Sequence, residues 1–177
     1  EVYESLKLRT IVVEKKLKID YIEKLRENKT MLKGHKLAPL SHIENQLLNE
    51  TCIDLKTFQA LCVIDGITSV LSFGRCFYEI NVDDDLEEET DDNLYYLKKT
   101  NQVGQRDKYV CCLQNTLPEI NLVRNTMFKI DNLSKPIKAM TSYKMEDLHN
   151  ICNQLSIEID NKMKKKDLYE KIVKELL

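Results

Sequence analysis

Apolar residues recur at Leu6, Ile11, Val13, Leu17, Tyr21, Ile22 and Leu25 with charges between them, a spacing that predicts helix from Glu1 to about Asn28. Lys18-Ile19-Asp20 is a candidate break, with Asp20 able to cap a second piece. Thr30 to Pro39, with Gly34 and His35, reads as a connector. Ser41 followed three residues on by Glu44 fits a capping box, opening a short helix through Ile43, Leu47 and Leu48. Asp54 is the expected cap of the next helix, which carries Leu55, Phe58, Leu61 and Cys62. Gly66 ends or kinks that helix, and Ile67, Val70, Leu71 and Phe73 continue its apolar face. This is the most apolar stretch and the expected centre of the core.

The period then shortens. Cys76, Tyr78, Ile80 and Val82 alternate with polar and aromatic neighbours, predicting a strand over 75–82. It runs into residues 83–92, where eight of ten residues are acidic and a mobile surface loop is expected. Leu94 to Leu97 reads as a second strand, paired with the first across that loop. Residues 101–107, with Gly104, read as a further loop. The spacing of Tyr109, Val110, Leu113 and Leu117 favours helix over strand for Lys108 to Leu117, and Pro118 is expected to break it. Glu119 to Ile130 has no clean period, and residues 131–142, containing Pro136, read as a linker.

The last stretch, Tyr143 to Leu177, has the clearest pattern. Met145, Leu148, Ile151, Cys152 and Leu155 fall on one helical face, with Ser142 placed to cap and Glu146 and Asp147 suited to the positive helix end. Ser156 to Asp160 alternate polar and apolar, as in an extended segment. Asp160 or Asn161 is the expected cap of a second helix, whose apolar positions are Met163, Leu168, Ile172, Val173, Leu176 and Leu177. A lone helix pair of this size lacks a sufficient core, so it must pack on the rest of the chain or be marginally stable. The organisation expected is an α+β, mostly helical chain: a globular domain over 1–130 with a helical N-terminal half and a small β element around the acidic loop, the linker, and a helix-loop-helix module over 143–177.

An aromatic residue, a helix with Leu148 and Ile151, a Leu155-Ser156-Ile157 turn, a lysine cluster, then Asp167-Leu168 and Ile172 follow one another in this stretch. That order resembles a SAP domain, and also the related transcription-terminator N-terminal fold, over about a fifth of the chain. Where the family has a turn glycine this chain has Ser156, and the second glycine before the lysines is missing, with Asn161 nearby. The resemblance implies a helix–extended loop–helix that contacts nucleic acid through Lys162, Lys164, Lys165 and Lys166, with Lys144 as a further candidate. The physics is compatible, because a helix start offers free N–H groups and positive potential to phosphate and each lysine displaces a condensed counterion. Residues 143–177 nevertheless carry seven lysines and seven acids, so a binding surface there has to come from segregation of charge. A solvated helix start is the competing reading.

Composition narrows the rest. At 177 residues with four glycines and three prolines, the chain is one domain or a domain with an appendage, and helix-rich. A net charge of −2 supplies no whole-protein field toward nucleic acid or membrane. No apolar run approaches a membrane span and no signal peptide is visible. The chain opens on Glu1, which reads as an excised domain or processed product with part of its function outside it. The six cysteines, among apolar neighbours, read as reduced and buried, in an intracellular setting, nuclear or cytoplasmic.

No enzyme site assembles from the sequence. Cys52-x9-Cys62-x13-Cys76 contains no C-x2-C knuckle, Cys111 and Cys112 are adjacent, and His35, His42 and His149 lack a partner pattern, so no metal and no cofactor is expected. Gly34, Gly66, Gly74 and Gly104 are isolated and form no phosphate-cradling loop. The acidic stretch lacks the glycine and spacing of an EF-hand; it reads as a solubility element or a dock for a basic partner. Two functions remain: a non-enzymatic accessory domain that contacts DNA or RNA through the C-terminal lysines, or a protein-interaction scaffold without nucleic-acid affinity.

Overall fold

A computed structural model describes residues 2–35, 37, 39–81, 94–100, 108–112, 116–132, 135–160 and 162–176. The acidic stretch 83–92, the loop 101–107, Asn161 and Leu177 lie outside them. The fold is α+β and mostly helical, in element order α1 (Val2–Glu27), α2 (Lys29–Gly34), α3 (Leu40–Asn49), α4 (Leu55–Asp65), β1 (Thr68–Phe73), β2 (Cys76–Ile80), β3 (Leu94–Thr100), β4 (Lys108–Cys112), α5 (Thr116–Thr126), β5 (Phe128–Lys129), a 3-10 turn at Met140–Ser142, α6 (Met145–Gln154) and α7 (Lys165–Leu176). The chain divides into compact units Glu1–Ile67 and Thr68–Leu177, a division well before the expected linker at 131–142.

In the first unit α1 runs through Lys18-Ile19-Asp20 without the expected break. Its C-terminal half supplies Ile22 and Leu25 to a core shared with Leu32, Ile43, Leu47, Ala60 and Val63. Asp54 caps α4 as expected, its Oδ1 accepting from the Thr57 N–H at 2.8 Å. Its other oxygen meets His42 Nε2 at 2.7 Å. Burial pushes the Asp54 carboxyl up, but the hydrogen bonds from Thr57 and His42 outweigh it and hold the group below its ordinary range. Ser41 does not cap α3: Pro39 holds that position, and Glu44 is engaged instead by Arg26 of α1 at 2.7 Å. Tyr21 donates its hydroxyl to Asp65, which Lys24 also reaches at 3.2 Å; that bond pushes the Tyr21 phenol up to about 12. These pairs join α1 to α3 and α4. Gly66, at φ +66, ends α4, and the Ile67 N–H returns to the Cys62 carbonyl at 2.9 Å, the closing bond of a Schellman motif.

The second unit is built on a five-stranded sheet of order β4-β3-β1-β2-β5. The stretch after Gly66 expected to prolong a helix is its central strand. β1 is antiparallel to β2 and parallel to β3, so β2 and β3 do not pair with each other as the sequence suggests but flank β1. Gly74, at φ +57 with Arg75 following at negative φ, makes the two-residue β1–β2 turn, the arrangement of a type II′ hairpin. Residues 108–112 form strand β4, antiparallel to β3, where the spacing favoured helix. Pro118 sits in the first turn of α5, where a missing N–H costs nothing.

Neighbouring residues of a strand face opposite ways, and β2 uses both faces. Phe77 joins Val70, Leu94 and Tyr96 against Ile120 and Val123 of α5. Cys76 joins Phe128 and Ile130 against Leu148 and Cys152 of α6 and Leu168 and Ile172 of α7. The unit is therefore three-layered, with α5 on one face and the C-terminal helix pair on the other. Cysteines 62, 76 and 152 are buried as expected, but Cys52 and Cys111 are exposed; all six are free thiols. Burial pushes the Cys76 and Cys152 thiols up, which keeps them unreactive.

On the α5 face Glu79 of β2 has a side chain only 4% exposed and is clamped by Arg124 and by Lys129 Nζ at 2.5 Å. Burial alone raises its carboxyl, but the hydrogen bonds of Lys129 and Arg124 prevail and hold it below the ordinary range. A depressed native value stabilises the fold above the unfolded carboxyl value of about 4.3, and that contribution is lost as pH falls through the native value. Glu79→Gln is expected to flatten the acid limb of a urea-unfolding pH series below about pH 4.3. An unchanged acid limb would show that Glu79 is not linked to folding.

α6 ends in a second Schellman motif, with the Ile157 N–H on the Cys152 carbonyl at 2.8 Å and the Ser156 N–H on Asn153 at 3.0 Å. Its left-handed residue is Ser156, at φ +52. A left-handed L-residue costs about 1–2 kcal/mol, partly offset in glycine by greater freedom of the unfolded chain. Ser156→Gly is expected to stabilise the protein by about 0.5–1 kcal/mol in chemical denaturation. Destabilisation would mean the serine hydroxyl makes a compensating contact.

Candidate nucleic-acid interface

The two C-terminal helices begin alike. Lys144 precedes α6 and Lys164 precedes α7, and each is followed at the third position by an aspartate and at the fourth by a fully buried leucine. Asp147 Oδ2 accepts from the Lys144 N–H at 2.6 Å and Asp167 Oδ2 from the Lys164 N–H at 3.4 Å. The Leu148 and Leu168 N–H groups return to the Lys144 and Lys164 carbonyls at 3.3 and 3.1 Å. A lysine ammonium cannot accept a hydrogen bond, so neither helix start has a cap side chain for its own free N–H groups.

Two expected caps act elsewhere. Ser142 lies in the 3-10 turn, its N–H on the Ala139 carbonyl at 2.9 Å. Asp160 closes an Asx turn on the Lys162 N–H at 3.1 Å, ahead of the helix rather than at its start.

The starts of α6 and α7 lie at one end of the pair. The rings of Tyr143, just before α6, and Tyr169, in the second turn of α7, have centroids 6.3 Å apart. Tyr169 donates to the Lys138 carbonyl at 2.8 Å, and the Lys138 N–H donates to the Tyr143 hydroxyl at 3.2 Å. Lys144, Lys164, Lys165 and Lys166 are thereby gathered at that end, with Lys162 in the turn leading into α7. Lys144, Lys162, Lys164 and Lys166 are exposed and Lys165 is half-buried. Lys166 is 3.7 Å from Glu170, both on the surface, a pair worth little. Among the described residues the ammonium groups of Lys144, Lys162, Lys164 and Lys165 have no acidic partner.

The pair is not a free-standing appendage. Arg75, in the β1–β2 turn, donates to the Leu155 carbonyl at the end of α6 and meets Glu175 of α7 at 2.5 Å. Gln154 Nε2 donates to the Arg124 and Met127 carbonyls at 2.9 and 2.7 Å, capping the end of α5. All of these contacts span more than twenty residues, and periodicity does not reveal them. From the stretch read as a linker, Asp131, Asn132, residues 135–139 and Ser142 line a cavity of about 630 Å³ that reaches Tyr143. Lys135 and Lys138 were missed in the sequence because they lie between elements, in Lys135-Pro136-Ile137-Lys138.

No family model, curated protein or solved structure matches the chain. Among the described residues no helix is long and apolar enough to cross a membrane, and no three His, Cys, Asp or Glu side chains converge as a metal site would need.

Leu148, Leu155, Leu168 and Ile172 are at most 1% exposed. Each such side chain contributes about 1.5–3 kcal/mol by burial. Cutting the chain before Tyr143 removes that contribution and uncovers Cys76, Phe128 and Ile130. A 143–177 peptide is expected to show little helix by circular dichroism, and chain 1–142 to lose cooperative unfolding of its sheet. A cooperatively melting peptide would establish an autonomous module instead.

Proposed function

We propose that the chain is a non-enzymatic accessory domain that contacts the phosphate backbone of DNA or RNA through the lysines at the shared start of α6 and α7, in an intracellular, nuclear or cytoplasmic setting. The observation that carries this reading is where the charge sits. The positive end of a helix disfavours cations by about 0.3–1 kcal/mol each. Yet Lys164, Lys165 and Lys166 occupy the start of α7 and Lys144 the start of α6. Acids stand there too, Glu146 and Asp147 at α6 and Asp167 at α7, so the unbalanced positive charge is that of the three consecutive lysines at α7. Phosphate relieves the repulsion, meets the free N–H groups and fits the SAP resemblance.

A second reading, docking of another protein, is favoured by α1. There Ile11, Val12, Val13, Leu17 and Ile19 are 46–65% exposed along the half of the helix preceding its core-facing residues.

The test is fluorescence anisotropy of the full chain with short single- and double-stranded DNA at two salt concentrations. Binding is expected to weaken with salt, with a slope of about 0.9 per phosphate contact on duplex. The triple variant Lys164→Glu, Lys165→Glu, Lys166→Glu is expected to lose that binding while melting at the same or a higher temperature, because acids suit a helix start. Unchanged binding in the triple variant, or none at low salt, would leave the protein-docking reading.

A further inference from the structure

The cavity beside the lysine end has a chemistry of its own. It measures about 630 Å³, within the range of small-ligand pockets. Phe128, Ile137 and Tyr143 give it apolar walls, and Lys135 and Lys138 give it amines, while Lys129 lines it with its own amine held on the α5 face by Glu79. The amines are not equivalent. Lys129 is engaged with Glu79, which Arg124 also holds, so that cluster keeps one net positive charge. Lys138 pairs with Asp131 at 2.7 Å, with both side chains more than 60% exposed, and the pair is neutral. Lys135 is exposed and has no acidic partner among the described residues. The lining is thus cationic in sum, with its uncommitted charge on Lys135 and its apolar surface on the Tyr143 side.

A ligand matching both features has a planar or apolar body and an anionic group. The cavity also adjoins the proposed phosphate-binding end directly. Tyr143 lines it and precedes Lys144, and the Lys138 backbone is bonded to Tyr143 and Tyr169. A strand lying across Lys144 and Lys164 would therefore have a recess beside its track.

We infer that this cavity takes one unstacked nucleotide, with its base against Phe128, Ile137 and Tyr143 and its phosphate at Lys135. This rests on the nucleic-acid reading and sharpens it. A nucleotide in a duplex is stacked and paired and cannot enter, so the chain selects single strands or unpaired ends over blunt duplex. Base–aromatic contact of this kind supports a preference of about tenfold.

Two measurements on the full chain test it. In the first, Ser142→Trp fills the cavity from an exposed lining position two residues before Lys144. Anisotropy is measured with a blunt duplex and with the same duplex carrying a three-nucleotide overhang. The native chain is expected to favour the overhang about tenfold. Ser142→Trp is expected to remove that preference and leave blunt-duplex affinity unchanged, with Lys135→Glu acting the same way. A preference that survives both substitutions, or no preference in the native chain, overturns the inference while leaving backbone binding intact. In the second, the 15N-labelled chain is titrated with thymidine monophosphate, thymidine and inorganic phosphate. Saturable shifts at the Lys135, Ala139 and Ser142 amides are expected from the nucleotide and not from either half alone. This result would stand even if no polymer bound, in which case the backbone reading fails and the pocket remains. Equal shifts with inorganic phosphate, or none with the nucleotide, overturn the pocket.

Discussion

Everything distinctive about the second unit depends on burying one shared helix face against the β2–β5 end of the sheet. Leu148, Cys152, Leu168 and Ile172 have no exposed surface, and they close on Cys76, Phe128 and Ile130. That burial is non-directional and sets no register by itself. Orientation comes from a few polar contacts at the rim. Arg75 holds the end of α6 and the last turn of α7 together, and Gln154 binds α6 to the end of α5. The bonds from Arg75 to Leu155 and from Gln154 to Arg124 and Met127 satisfy carbonyls that a helix end leaves open. The apolar face therefore supplies the stability and the caps fix which way the helices run. Their starts then meet at Tyr143 and Tyr169, and the lysines follow from that arrangement.

The same sheet illustrates what a linear pattern conveys and what it hides. α3, α6 and α7 were legible because each has one buried stripe and one solvated one, the condition under which a helical period appears, whereas α1 was read partly on Ile11, Val13 and Leu17, which are exposed. The Asp54 cap was legible for a local reason, being a carboxylate just before an apolar run. β1 was not legible. It lies between β2 and β3 with residues 69–72 all buried, so its two faces are equally apolar and no alternation survives. Taken for the tail of a helix, it could not be offered to β2 as a partner, and β3 was paired with β2 in its place. At 108–117 the helical spacing came from joining Tyr109 and Val110 of an edge strand to Leu117 of the next helix. Ser156 could be flagged as standing where a glycine belongs, and it is at that position that the backbone turns left-handed. Of the proposed interface, the five lysines and the second helix start were visible beforehand. The convergence of both starts was not, because it depends on Tyr169 reaching Lys138 across 31 residues.

Charge segregation in residues 143–177 follows from how its acids are employed. Asp147 and Asp167 accept from the backbone at the helix starts, Asp160 closes its turn, Glu170 meets Lys166 and Glu175 meets Arg75. Five of the seven acids are thus committed to structure. The lysines are committed far less: Lys171 donates to the Glu158 carbonyl and Lys166 lies 3.7 Å from Glu170, whereas Lys144, Lys162, Lys164, Lys165 and Lys174 have no such partner among the described residues. The acids stay charged and exposed, so their hydrogen bonds fix where the negative charge sits without removing it from the helix starts. Within the first turn only Glu146, Asp147 and Asp167 lie close enough to offset the ammonium groups, and two of those three are already hydrogen-bonded to the lysines' own backbone.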